Sequence, residues 1–350
     1  MEALVTAELD LSLLEQLKEC CEVTMAGWAE NLQLLPENEL IELLKGKQIV
    51  ITSYDEVTKR VIDACEDLRL IACTRSSPVN IDIEAATLRE IPVIYTPGRN
   101  ADCAAEYTIG MMLGIARNIP MAYKSLKEGH FVSEQQTEKI TKEGLKEDVT
   151  WALSAESPYV LFKGFRLKGK TLGLIGLGSI GKKVATLAKA FGMNICVFDP
   201  YVPQKEMEDV DAKKVELETL LRESDFISCH AKVTRETTRL IGEQEFRMMK
   251  PTAYFINTSR GAIMDERALI HALKTKTIAG AALDVFESEP LSIEHPFIQE
   301  LDNIVVTPHL GGATYDAITN HTTIIIEEIR RFVAGEKLLF QINPFGEDAK

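Results

Sequence analysis

The sequence contains no CxxC pair. Its seven cysteines (Cys20, Cys21, Cys65, Cys73, Cys103, Cys196 and Cys229) are odd in number, and two of them are adjacent. That pattern argues against a disulfide framework or a zinc site and predicts reduced thiols, a cytoplasmic setting and no metal. An excess of positive charge is also missing: 39 Lys and Arg stand against 53 Asp and Glu, a formal net charge of −14. A chain of this sign repels phosphate backbones and anionic lipid, which argues against nucleic-acid and membrane partners. A small anionic substrate then needs a local cation set against the overall field. No uncharged run approaches the ~20 residues of a membrane span. The first residues, MEALVTAELDLSLLEQLKE, are acidic and amphipathic and lack the basic start and apolar core of a signal peptide. Low complexity is absent, with 21 Gly and 13 Pro in 350 residues, 45% hydrophobic and 26% charged. Such a composition belongs to an ordinary globular chain, and the length predicts about two domains.

Short apolar runs alternate with amphipathic segments through the first third. Strands are expected at Leu4–Thr6, Gln48–Ile51, Arg69–Cys73 and Pro92–Tyr95, and helices at Leu11–Cys20, Val57–Cys65 and Asp82–Arg89. Ala101–Arg117 reads as a long buried helix. The stretch from about 130 to 165 is polar and weakly periodic, and predicts an excursion over the surface. Alternation restarts with strands at Thr171–Ile175, Asn194–Phe198, Phe226–His230, Ala253–Asn257, Ile278–Leu283 and Asn303–Val306. Helices are expected at Ile180–Phe191 and Ala313–Phe332, and a polar tail follows. Such alternation predicts α/β architecture with parallel sheets covered on both faces.

One motif carries chemistry in the context that makes it specific. Gly176, Gly178 and Gly181 form GLGSIG directly after the strand TLGLI, and the motif opens the next helix. Gly176 allows the tight turn, Gly178 lets backbone approach a pyrophosphate, and Gly181 brings helix and strand together. The N–H groups of Ser179 and Ile180 begin a helix whose positive dipole end suits phosphate. Asp199 ends the following strand, about 20 residues on, where a carboxylate accepts hydrogen bonds from an adenine-ribose 2′-OH and repels a 2′-phosphate. No Arg follows it, so NAD is favoured over NADP.

Three further polar sites fall after strands of the second unit: Asn257-Thr258-Ser259-Arg260-Gly261, Leu283 to Pro290 with Asp284, Glu287 and Glu289, and Thr307-Pro308-His309-Leu310-Gly311-Gly312. In doubly wound sheets ligands bind beyond the carboxyl ends of strands. An Arg there grips a carboxylate, and an imidazole beside a carboxylate moves protons near neutral pH. Dinucleotide, cation, carboxylate and imidazole are the set that hydride transfer to a carbonyl requires.

With these residues in place, the chain resembles the D-isomer-specific 2-hydroxyacid dehydrogenase family, which includes phosphoglycerate dehydrogenases, glyoxylate and hydroxypyruvate reductases and D-lactate dehydrogenases. The likeness runs from about Gly46 to Phe332 and rests on VNIDIEAATLREIPVIYTPGRNADCAAE, GKTLGLIGLGSIGKKVA, INTSRGAIMDERAL, AALDVFESEP and TPHLGGAT, in the family's order and spacing. The resemblance implies an NAD-dependent oxidoreductase that interconverts a small 2-hydroxy acid and its 2-oxo acid. It implies a Rossmann domain over 121–312 and a flavodoxin-like substrate domain over 1–120 plus 313–350, with the active-site cleft between them, and a homodimer. It assigns Arg260 to the substrate carboxylate and carbonyl, and His309 to proton transfer. Glu289 would hydrogen-bond the imidazole and favour its protonated form, and Asp284 would hold the nicotinamide carboxamide. Asn100, Ser76 and Ser77 match the substrate loop, and Thr108, His230 and Thr258 line the cofactor site.

The departures are informative. Where many relatives have a glycine-rich substrate loop, this chain reads Arg75-Ser76-Ser77-Pro78, which adds a cation able to meet a phosphate or a second carboxylate. The stretch Ile51-Thr52-Ser53-Tyr54-Asp55 lacks the Arg that phosphoglycerate dehydrogenases usually carry there, which puts phosphoglycerate in doubt. No regulatory domain is expected after Phe332. Glu289 argues against formate dehydrogenase chemistry, in which Gln stands there. The alternative of another class is an NAD-sensing corepressor of the same fold, a C-terminal binding protein, and turnover with 2-oxo acids separates the two.

Overall fold

The computed structural model describes residues 1–132 and 155–345, which divide into two compact units: 1–100 with 313–345, and 101–312 without 133–154. The surface excursion expected at 130–165 lies mostly outside the described residues. Of its described part, Pro158–Leu161 forms a single helical turn.

The first unit is a five-stranded sheet of β1 (Glu2–Val5), β2 (Glu22–Met25), β3 (Ile49–Thr52), β4 (Leu70–Cys73) and β5 (Val93–Ile94), in the order β2-β1-β3-β4-β5. All pairings are parallel. This is the flavodoxin-like order expected of the substrate domain. β3 and β4 are buried at every position because helices cover both faces, so they read as continuous apolar runs. β2, with the sequence EVTM, is half exposed at the sheet edge and has too little apolar pattern to be seen in the sequence. The helix Tyr315–Ala334 is capped by Thr314, whose hydroxyl accepts the Ala317 N–H, and it buries Ile325, Ile326 and Ile329 in a core with Val5, Ile49 and Ile51.

The chain after that helix does more than lie on the surface. The Tyr95 N–H donates to the Phe340 carbonyl (3.0 Å), and the Ile342 N–H to the Val93 carbonyl (2.9 Å). The Asn343 amide, buried in the unit, accepts from Val93 N (2.8 Å) and donates to Ile91 O (3.0 Å). The buried Glu328 carboxylate receives the N–H groups of Leu339 and Phe340. The tail thus covers the open edge of β5, a role that polar composition does not reveal.

His321, only 3% exposed, sits between the Glu8 carbonyl (Nε2, 2.8 Å) and the Arg99 guanidinium (Nδ1, 3.0 Å). Burial, the largest cause, pushes its imidazole down from 6.5 to about 4; the Glu8 carbonyl opposes this and the Arg99 charge adds to it. Burial does the same at His230 in the second unit. The unfolded chain takes up these protons near pH 6.5 and the native one only near 4. Stability from the neutral rings is therefore complete above 6.5 and is lost as pH falls toward 4. Urea midpoints at pH 7.5 and 5 are expected to drop less in His321→Gln than in the parent. An equal drop in both proteins would show that His321 is not a source of the acid sensitivity.

The second unit is a seven-stranded parallel sheet of β6 (Thr171–Ile175), β7 (Asn194–Phe198), β8 (Lys213–Lys214), β9 (Phe226–Cys229), β10 (Tyr254–Asn257), β11 (Gly280–Leu283) and β12 (Ile304–Val306). Its order, β12-β11-β10-β9-β6-β7-β8, reverses direction between β6 and β9. That is the doubly wound Rossmann arrangement, with its ligand crevice at the reversal. The helix Ala101–Ala116 belongs here: Ile109, Met112 and Ile115 pack with Leu172, Leu174, Val184 and Ala188. The division accordingly falls at Asn100 rather than at the expected residue 120. Apart from a narrow exposed stripe of Asp102, Glu106 and Gly110, this helix is apolar and needs a core around it, which the second unit supplies.

Candidate active site

The turn from β6 into the helix Ser179–Ala190 lies at the reversal point. Gly176 has φ +94°, and a Cβ there would sit 2.8 Å from the Ala231 backbone N, just beyond β9. At Gly181 a Cβ would approach the Gly176 carbonyl oxygen to 2.5 Å. At Gly178 it would meet nothing within 4 Å, which leaves open space over the first turn with Ser179 and Ile180. A side chain at 176 or 181 would collide with backbone, while the space at 178 is free for a ligand. Beside the loop, a cavity of about 350 Å³ is lined by Gly176, Gly178, Asp199, Tyr201, His230 and Thr234 among others. Its mixed apolar and acidic lining fits an adenosine. His230 is held down at about 4 by burial and is therefore neutral near pH 7; its Nε2 lies 2.9 Å from the Ser228 hydroxyl.

Asp199 does more in the structure than its place in the fingerprint implies. One carboxylate oxygen accepts the Leu177 N–H from the glycine loop (2.8 Å). The other accepts from Tyr201 N (2.9 Å) and Val202 N (3.1 Å). It ties the end of β7 to the phosphate-binding turn, which spacing alone could not disclose.

Three strand ends carry the proposed chemistry. After β10, the buried Asn257 accepts the N–H and hydroxyl of Ser259 (3.1 and 3.0 Å) and donates to the Arg260 carbonyl (3.0 Å). This bracket shapes the turn and leaves the Arg260 side chain exposed, with its Nη1 2.6 Å from the Ser259 carbonyl. In the sequence, the signal for the role of Asn257 is an Asx residue directly at a strand end. Thr258 lies beside Thr108, 2.7 Å between hydroxyls. Because Thr108 gives its proton to the Ala104 carbonyl, Thr258 is the donor in that pair.

After β11 and β12, Asp284 and His309 are joined through the backbone. Asp284, 1% exposed, accepts from the Thr307 hydroxyl (2.7 Å), Leu310 N (2.8 Å) and Gly311 N (2.7 Å). The loop so held places His309 at φ +58°, a left-handed conformation that costs a non-glycine residue about 1 kcal/mol or more unless its surroundings impose it. His309 Nδ1 then lies 2.7 Å from Glu289 Oε2, while Glu289 Oε1 accepts the Phe286 N–H (3.1 Å). Both side chains are partly exposed, and Nε2, across the ring from Nδ1, takes no part in this bond. Asn at 284 would offer one acceptor oxygen to three donors, costing about 1–3 kcal/mol. We expect Asp284→Asn to lower Tm by several degrees and kcat more than KM, read by thermal melting and steady-state kinetics. Parental values for both would remove Asp284 from the support of His309.

The remaining candidates lie in the first unit. Arg75 follows β4 with its guanidinium 5.5 Å from the centre of the Tyr54 ring, and Tyr54 meets Trp28 edge-on at 5.1 Å. The Ser76 hydroxyl donates to the Thr96 carbonyl (3.0 Å), Ser77 accepts the Val79 N–H (3.0 Å), and Asn100 is half-buried at the end of the unit. Trp28 and Tyr54 were not singled out from the sequence, because aromatics scattered through strand-end loops carry no periodic signal. Among the described residues no group of three or more His, Cys, Asp or Glu is placed to hold a metal, and no helix is long and apolar enough to cross a membrane.

A Rossmann unit with a glycine turn, an acidic residue at the end of β7, and an Arg, a carboxylate–imidazole pair and a buried Asp at neighbouring strand ends defines a nicotinamide-dinucleotide oxidoreductase. Residues 109–311 match the family described as "D-isomer specific 2-hydroxyacid dehydrogenase, NAD binding domain". The chain belongs to this family. It is 40% identical over 302 residues to a glyoxylate reductase from Thermococcus litoralis, covering 86% of this chain and 85% of that one. It is 38% identical over 338 residues to a D-3-phosphoglycerate dehydrogenase from Methanocaldococcus jannaschii, covering 96% of this chain but only 58% of that longer protein. The apo structure of D-lactate dehydrogenase from Escherichia coli superposes with a TM-score of 0.75 at 26% identity, covering 98% of this chain and 100% of that one.

Proposed function

We propose that the protein is an NAD-dependent dehydrogenase that interconverts a small D-2-hydroxy acid and its 2-oxo acid, with unit 101–312 binding the dinucleotide and the other unit the substrate. The observation that carries this reading is the 2.7 Å bond between His309 Nδ1 and Glu289 Oε2, at the strand end beside Asp284 and in the unit that holds the glycine loop. Bound NADH supplies a hydride to the carbonyl carbon. The Arg260 guanidinium binds the substrate carboxylate and polarises the carbonyl. Glu289 keeps the proton on Nδ1, so Nε2 is the nitrogen that gives a proton to the carbonyl oxygen in reduction and takes it from the hydroxyl in oxidation. Asp284 Oδ2, which accepts one backbone N–H, is the oxygen we assign to a carboxamide N–H. NADH oxidation by a panel of 2-oxo acids, repeated with NADPH, tests the reading. No turnover with any of them would favour the nucleotide-sensing alternative.

We further assign Arg75, Ser76, Ser77 and Asn100 to the substrate. The Arg75 guanidinium lies over the Tyr54 ring, and we assign its N–H groups to an anionic or polar tail. Arg75→Ala is expected to raise KM roughly tenfold for the best substrate with little change in kcat, as for the loss of one charge-assisted contact. An unchanged KM would mean a small, singly charged substrate. The proposal extends to a cytoplasmic homodimer. Burial pushes the Cys229 thiol up to about 12, as suits a thiol that stays reduced. Ile119, Tyr123 and Leu126 are exposed along the helix Ile119–Lys127 at the spacing of one apolar face, suited to a second copy. Light scattering at micromolar concentration measures that state.

A further inference from the structure

The loop Val285–Pro290, which carries Glu289, is fastened by a polar cluster, centred on the buried Glu266, that the reaction itself does not use. Gly261, the residue after Arg260, lies directly against this loop: a Cβ there would come within 1.9 Å of the Phe286 carbonyl oxygen. Five residues on, Glu266 begins the helix Glu266–Lys274 and is 7% exposed. Both of its carboxylate oxygens are committed to this region. Oε1 accepts the Glu287 N–H, and Oε2 lies 3.3 Å from His295 Nε2. In return the Glu266 N–H donates to Glu287 Oε1 (3.5 Å), and the Arg239 guanidinium lies 3.5 Å from that same oxygen, offsetting the two neighbouring carboxylates.

His295 completes the arrangement. Its Nδ1 accepts the Phe297 N–H (3.3 Å) at the start of the turn Pro296–Gln299, so its proton resides on Nε2 and is donated to Glu266. The ring lies 4.6 Å from Phe297, which packs 6.3 Å from Phe286. A buried carboxylate is expensive unless its lone pairs are satisfied. Here both satisfying donors come from the segments that flank Glu289, at Glu287 and at His295.

We propose that Glu266, partnered by His295, is a positioning residue that sets the Glu289 carboxylate against His309. The inference rests on the reading of Glu289 and His309 as the proton-transfer pair. Gln at 266 retains one acceptor oxygen and turns an NH₂ group toward either the Glu287 N–H or the His295 Nε2–H. The loop then shifts, and the Glu289–His309 bond lengthens. A displacement well under 1 Å suffices to slow proton transfer several-fold.

The test is a double-mutant cycle with Glu266→Gln and Glu289→Gln, measuring reductive kcat/KM against pH together with NADH affinity. In the parent background Glu266→Gln should lower kcat roughly tenfold, with NADH affinity unchanged, and move the loss of reduction at high pH to lower pH, in the same direction as Glu289→Gln. In the Glu289→Gln background it should cost less than about twofold, because no carboxylate is left to position. Glu300→Gln, which removes the surface partner of Lys274 on the same helix, should leave the profile unaltered. An equal cost of Glu266→Gln in both backgrounds would reduce its role to general stability. If Glu289→Gln itself matches the parent, the proton-transfer reading falls, and this inference with it. Should Glu266→Gln fail to fold, His295→Asn carries the same cycle: Asn keeps an acceptor for the Phe297 N–H and removes the donor to Glu266.

Discussion

Replacing His309 by alanine is expected to lower kcat/KM for 2-oxo-acid reduction by about 10²–10⁴, the usual cost of losing a general acid, while NADH still binds. Binding survives because the glycine loop and Asp199 stand on the ends of β6 and β7, whereas His309 follows β12. Glu289→Gln is the finer companion. It keeps a hydrogen-bond acceptor 2.7 Å from Nδ1 but removes the negative charge that favours the imidazolium. Reduction needs that charged ring, so its activity should fall off at a lower pH than in the parent. Oxidation needs the neutral ring, so it should persist to lower pH. The comparison is kcat/KM against pH in both directions. Superimposable profiles would show that Glu289 does not tune His309.

Asp199→Ala is the second large effect, and its direction differs from that of a simple specificity switch. Three backbone N–H groups, of Leu177, Tyr201 and Val202, would lose their acceptor along with the ribose hydroxyl. Each N–H left unsatisfied costs about 1–3 kcal/mol, and about 1.4 kcal/mol is tenfold in affinity. That cost falls on the turn in free and bound protein alike and lowers stability, while the lost charge-assisted bond to the ribose, about 1.5–3 kcal/mol, should lower NAD affinity by roughly ten- to a hundredfold. NADP, relieved of charge repulsion but facing the same loosened turn, should gain relative to NAD without reaching parental efficiency. Fluorescence titrations with NADH and NADPH measure both changes. NAD affinity within about twofold of the parent would mean that the carboxylate does not meet the ribose.

The sequence was most legible where chemistry and local geometry coincide. GLGSIG after an apolar strand, Asp199 at the next strand end, and Arg260, Glu289 and His309 in strand-end loops are all local patterns, and the structure places each at the end of a strand of the seven-stranded sheet. The strands β3, β4, β6, β7 and β9 are legible because parallel strands buried on both faces are mostly apolar rather than alternating. β2 and β8 are not, since EVTM and KK are edge segments whose existence depends on a neighbour offering hydrogen bonds. The helix Ala101–Ala116 is legible as a buried helix, but hydrophobicity does not say in which core, and the structure packs it with β6 and the helix Ser179–Ala190.

The sequence by itself therefore determined the fold class and the family and named the candidate reacting groups, for these depend on residue type and spacing within a few neighbours. Only the tertiary structure decided which groups meet. It showed that Asp199 binds the glycine loop, that Asp284 holds the loop in which His309 adopts φ +58°, that Asn343 closes the edge of β5, and that Glu266 and His295 grip the segment beside Glu289. The physical reason is the same in each case. A buried polar atom must find a partner, and that partner is supplied by whichever element the fold brings alongside, often far away along the chain.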